Sequence, residues 1–130
     1  MMHKNLHIVI AEDDVDDAEI ILESFEKHAS FAKVELVKNG KELIEVLAAG
    51  NKPDLILTDI NMPILSGFEA IKAIRNNPGY EEIPAFVYST TIIPTYQVQG
   101  QELNISAFLI KPYNIDEFYS IPDKILSFLS

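Results

Sequence analysis

Asp59 is a lone carboxylate at the tip of an apolar run, Leu55-Ile56-Leu57-Thr58, where a buried strand has no structural use for a charge. Three other apolar runs end in a similar way. Leu6 to Ala11 runs into Glu12-Asp13-Asp14, Ala85 to Tyr88 into Ser89-Thr90-Thr91, and Ala107 to Ile110 into Lys111. Crowded carboxylates repel and hold their protons more tightly unless a cation joins them. An all-oxygen set without His or Cys suits a hard ion, with Mg²⁺ the usual choice. A lysine and a hydroxyl complete a set able to hold a phosphoryl group, because metal and ammonium neutralise its oxygens while the hydroxyl donates a hydrogen bond. The chain has no Cys, and no His stands among the polar residues that end these runs. The remaining nucleophile is a carboxylate, so Asp59 attacking phosphorus would form an acyl phosphate.

These groups meet only if the intervening elements bring four strand ends to one edge. Asp17 to His28 places Ile21, Leu22 and Phe25 at helical spacing, and Lys41 to Ala49 does the same with Leu43, Val46 and Leu47 before Gly50 stops it. Val34 to Val37 reads as a further brief strand, and Ser66-Gly67 opens a helix carrying Phe68, Ile71 and Ile74. Thr95 to Leu103 is a weak helix with Gly100 inside and little apolar stripe; Ile115 to Leu129 is amphipathic but kinked or split at Pro122. Five short strands separated by helices predict a parallel sheet covered on both faces, a doubly wound α/β domain. In such sheets ligands bind beyond the carboxyl ends of the strands, where strand order reverses.

The 130 residues suit one domain, and 48% hydrophobic with 23% charged residues is the composition of a globular protein. A net charge of −10 argues against nucleic acid and against a membrane surface, both of which call for clustered Lys and Arg. No segment approaches the roughly 20 apolar residues of a membrane-spanning helix, and the amino-terminal residues lack a signal-peptide layout. The absence of Cys excludes disulfides and thiolate metal sites and fits a cytoplasmic setting.

The segments IVIAEDD, DLILTDINMPILSGFEAI, IPAFVYSTT and FLIKPY resemble, in order and interval, the receiver domains of bacterial two-component response regulators. The resemblance runs end to end and is nearest to stand-alone receivers, including those paired with bacterial phytochromes. It implies a flavodoxin-like sheet of order 2-1-3-4-5 and a single receiver domain over 1–130 with no output domain. It makes Asp59 the phosphoacceptor and Glu12 and Asp13 the acidic pair, Asp13 touching Mg²⁺ directly and Glu12 through water. Asn61 would offer its backbone carbonyl to the metal. Ser89 matches the switch hydroxyl, Lys111 the phosphate-binding lysine and Phe108 the aromatic switch position. Lys111-Pro112 is expected as a cis peptide. The implied partner is a sensor histidine kinase, with a histidine phosphotransfer protein or another target downstream, and the implied chain is a monomer or a homodimer. Such a protein acts only on its own phosphorylation state and is not an enzyme with a separate substrate.

Other residues carry plainer readings. Asp14, Asp16 and Asp17 suit the positive end of a helix dipole. Thr90 and Thr91 are loop residues, Pro63 follows Met62 in a turn that shapes the acceptor loop, and Gly67 permits close backbone packing there. His3, His7 and His28 read as tail, strand and helix-end residues. Two rival functions compete with the signalling one. A haloacid dehalogenase-like phosphatase would want an acid two residues after Asp59, where Asn61 stands. A degenerate receiver that binds a partner without phosphorylation would not need all the site positions filled.

Overall fold

Residues Leu6–Ala11 form strand β1, whose last four side chains are buried. In β3 (Leu55–Asp59) and β4 (Ala85–Ser89) every residue is buried, as unbroken apolar runs in a parallel sheet require. The sheet is closed at its edges by β2 (Phe31–Val37) and the half-buried β5 (Ala107–Ile110). All pairings are parallel and the order is 2-1-3-4-5, the predicted doubly wound arrangement. The computed structural model describes residues 4–50 and 52–129, so His3 lies outside the described residues.

Helices α1 (Val15–Glu26), α2 (Gly40–Ala48), α3 (Gly67–Arg75), α4 (Pro94–Glu102), α5 (Ile115–Tyr119) and α6 (Ile121–Leu126) cover the two faces. Strand alternation divides the core in two. Ile8, Ile10, Leu55, Leu57, Phe86 and Tyr88 face Ile21 and Phe25 of α1 together with Phe118, Ile121 and Ile125 of α5 and α6. Val9, Ala11, Ile56, Ala85 and Val87 face Leu43, Leu47, Phe68, Ile71 and Ile74 of α2 and α3.

Helix starts follow side-chain capping. Asp14 caps α1 by accepting from the Asp17 N–H, so the helix begins two residues before the predicted Asp17. Asn39 caps α2 in the same way, and Gly50, at φ +92°, supplies the left-handed residue after its end. Ser66 and Glu69 form a reciprocal capping box on α3. β2 starts three residues earlier than Val34 because Ala32 and Lys33, although exposed, belong to an edge strand. The carboxy-terminal segment is split, as Pro122 predicts, with Pro122 near the start of α6.

Candidate functional site

The residue alternation that sorts the core also sorts the charged strand ends. Asp59 continues the face of Leu55 and Leu57, and Tyr88 pairs with it across the β3–β4 register. Glu12, just beyond β1, and Lys111, just beyond β5, point to the same side, and their side chains meet there.

Lys111 Nζ lies 2.8 Å from Glu12 Oε1, 3.0 Å from Asp59 Oδ2 and 3.2 Å from Asp17 Oδ2. Asp59 is 7% exposed, and its Oδ1 accepts from the Ile60 N–H at 2.7 Å. Burial raises the Asp59 carboxyl to about 6; the charge of Glu12 adds to this, while Lys111 opposes it. Burial alone would lower the Lys111 ammonium, but hydrogen bonds and charges from Glu12 and Asp59 outweigh it and raise the group above its usual value. The lysine therefore stays charged. Glu12 is held at both oxygens: Oε1 accepts from the Tyr88 hydroxyl at 2.5 Å, and Oε2 from the Asp14 N–H at 3.0 Å. Burial, then Glu12, pushes the Tyr88 phenol well up, so it remains a donor.

One carboxylate oxygen each from Glu12, Asp13 and Asp59 lies within 4.8 Å of the others. Asp13 is exposed at the mouth, while Glu12 and Asp59 are buried. Among the described residues, Lys111 is the cation that pairs with Glu12, Asp17 and Asp59, and Asp13 has no ion pair. This oxygen-only donor set with surplus negative charge fits a hard divalent cation.

The other predicted residues fall around this pocket. Ser89 is buried at the end of β4, on the opposite face from Asp59, and its carbonyl accepts from the Lys111 N–H at 2.8 Å. Phe108 also lies on that opposite face, half-buried beside Phe68 at a ring distance of 6.4 Å. The Asn61 side chain approaches the Tyr96 hydroxyl at 3.4 Å. The Pro63 carbonyl accepts from the Leu65 N–H at 2.7 Å in the turn between, and the Gly67 N–H donates to the Ile60 carbonyl at 2.8 Å. A Cβ at Gly67 would strike the Asp59 carbonyl oxygen, so the close packing expected there is real.

One expectation is corrected. No cis peptide occurs among the described residues, so Lys111-Pro112 is trans. Trans is favoured by about 0.5–1 kcal/mol before proline, and Lys111 reaches Asp59 with that geometry. Thr90 and Thr91 are exposed, as loop residues should be. His7 pairs with Glu35 in the sheet, and His28, just past α1, with Asp123.

Two residues of the pocket escaped the sequence reading. Asp17 reads in the sequence as a helix-dipole acid alone, yet it is the third carboxylate on Lys111. Tyr88 reads as strand core, and only its register opposite Asp59 betrays a second role.

Comparison with known proteins agrees with this fold. Residues 8–121 match the response regulator receiver domain family. The sensory transduction protein LytT of Oceanobacillus iheyensis is 30% identical over 125 residues, covering 96% of this chain and 50% of its own, so the chain spans half of that relative's length. The two-component response regulator ORR3 of Oryza sativa subsp. indica is 27% identical, with 92% and 90% covered. Among solved structures, the phosphorylated cyanobacterial phytochrome response regulator RcpA superposes with a TM-score of 0.84 at 28% identity, over 98% of this chain and 94% of that one. The parallel sheet of order 2-1-3-4-5 is the fold shared with RcpA, and the family match over residues 8–121 makes the chain a member of the response regulator receiver domain family.

Proposed function

We propose that Asp59 accepts a phosphoryl group from a phosphohistidine of a sensor histidine kinase, with Mg²⁺ held by Asp13 and Asp59, by Glu12 through water and by the backbone carbonyl of Asn61. The observation that carries this reading is Lys111 Nζ at 3.0 Å from Asp59, with the oxygens of Glu12, Asp13 and Asp59 grouped beside it. Receiver domains are regulators of signalling rather than turnover enzymes, and nothing in the family match favours a phosphatase. Among the described residues no helix is long and apolar enough to cross a membrane.

At neutral pH Asp59 is above its value of about 6 and therefore ionised. Its oxygen forms a bond to phosphorus while the bond from phosphorus to the imidazole nitrogen breaks, and the imidazole leaves. Mg²⁺ supplies charge neutralisation at the phosphoryl oxygens. Lys111, already desolvated and fixed, turns from the Asp59 carboxylate to a phosphoryl oxygen. The group adds about −1.5 to −2 charges, which draws the Ser89 hydroxyl inward and frees Phe108 to move. A shift at Phe108 repacks α4, and the altered surface engages a histidine phosphotransfer protein or another target protein.

Incubation with acetyl phosphate and Mg²⁺ tests this. Wild type should be labelled and Asp59→Asn should not; equal labelling of the two would reject the acceptor assignment.

A further inference from the structure

Tyr88 is fully buried in the core beneath the pocket, and a phenylalanine would fill the same space. Its hydroxyl is therefore surplus to packing. A buried phenol needs a partner, and this one donates to Glu12 Oε1 at 2.5 Å. The same oxygen takes Lys111 Nζ at 2.8 Å, and that ammonium also sits 4.9 Å above the Tyr88 ring. Glu12 Oε1 is thus shared between a neutral donor from β4 and a charged donor from the loop after β5. Without the phenol, the lysine would be the one side-chain donor among the described residues left to that oxygen, and its attraction to Glu12 would draw it from Asp59, which it now reaches at 3.0 Å.

We infer that Tyr88 is a positioning residue of the acceptor pocket: its hydroxyl fixes the Glu12 carboxylate toward the metal and keeps Lys111 divided between Glu12 and Asp59. This rests on the phosphoacceptor reading of Asp59 and adds a residue to it. Outer partners of metal-holding carboxylates orient them, and their loss typically costs about 10–100-fold in affinity or activity. Glu12 acts here through water, so the smaller end of such effects applies.

Calorimetric titration with Mg²⁺ and labelling by acetyl phosphate, on wild type, Tyr88→Phe, Glu12→Ala and the double variant, test the inference. Tyr88→Phe should weaken Mg²⁺ binding roughly tenfold and slow labelling at saturating Mg²⁺ by a similar factor. In the Glu12→Ala background the same change should have less than about a twofold effect, because the carboxylate it positions is gone. Tyr88→Phe within about twofold of wild type on both readouts, or an equal loss in both backgrounds, overturns the positioning role and leaves the acceptor reading standing. Failure of wild type to bind Mg²⁺ or to be labelled at Asp59 is a separate result: it removes the acceptor reading and the positioning role with it. If Tyr88→Phe does not fold, proton spectra of wild type decide. The buried Tyr88 hydroxyl proton should shift with Mg²⁺ at the calorimetric midpoint, and an unmoved resonance overturns the inference.

Discussion

Glu12, Asp59, Tyr88 and Lys111 stand on the sheet face covered by α1, α5 and α6, joined to one another by hydrogen bonds and ion pairs. Ser89 and Phe108 stand on the other face, where Phe108 packs beside Phe68 of α3 and against Gly100 of α4, and there the support thins out. Helix α3 has a capping box and buries Gly67, Phe68, Ala70, Ile71 and Ile74. Helix α4 has the same length, no side-chain cap, and only Gly100 buried. Gly100 is where the Phe108 ring rests, so closely that a Cβ there would strike it. The far end of α4 is better tied: the Arg75 guanidinium donates to the carbonyls of Leu103 at 3.0 Å and Asn104 at 3.3 Å. The face of Asp59 is held by hydrogen bonds and ion pairs, whereas the face of Phe108 lies under a helix with little buried surface. A receiver needs both, since chemistry requires fixed groups while a switch requires an element with two accessible states.

The largest effect that would break this comparison is on the Asp59 face. Lys111→Met leaves Glu12, Asp17 and Asp59 without their shared ammonium, and removing one partner of a buried ion pair typically costs about 3 kcal/mol or more. Urea unfolding of the metal-free protein should show that loss, with part of it recovered on adding Mg²⁺. A loss below about 1 kcal/mol would mean the pocket is solvated and not rigid.

Next comes pH. The Asp59 carboxyl titrates near 3.8 in an unfolded chain and near 6 in the fold. Between those values the folded state holds the extra proton, so metal-free stability falls as pH rises from about 4 to about 6. After allowance for solvent screening at the pocket mouth, the fall is on the order of 1–2 kcal/mol. Asp59→Asn, with nothing to titrate, should lose this component, and urea midpoints of the two proteins against pH in the presence of a chelator measure the difference. Parallel curves would remove the case for a carboxyl raised by burial at Asp59.

The smallest changes sharpen the contrast between α3 and α4. Ser66→Ala deletes a working cap and should cost about 1 kcal/mol. Ile93→Asp gives α4 the cap it lacks and should add about 0.5–1 kcal/mol. Thermal melts of the pair should move in opposite directions.

Much of this was legible in the sequence for a definite reason. Apolar runs that stop at a charge, such as Leu55 to Asp59, mark both a buried parallel strand and what stands at its end, so the sheet and the grouping of Glu12, Asp13, Asp59 and Lys111 could be read together. What stayed hidden depended on register and on helix orientation. Tyr88 looks like any core aromatic until it is paired with Asp59, and Asp17 looks like any first-turn acid until α1 is laid against the end of β5. The trans bond at Pro112 was missed because the expectation came from resemblance and not from any local requirement.

Amide hydrogen exchange tests the contrast between the two faces most directly. In the unmodified protein, α4 should exchange at least roughly tenfold faster than α3, and treatment with acetyl phosphate and Mg²⁺ should change protection in α4 and around Phe108 while β1, β3 and α1 stay nearly constant. Protection of α4 equal to that of α3, or a response confined to the α1 face, would contradict the account.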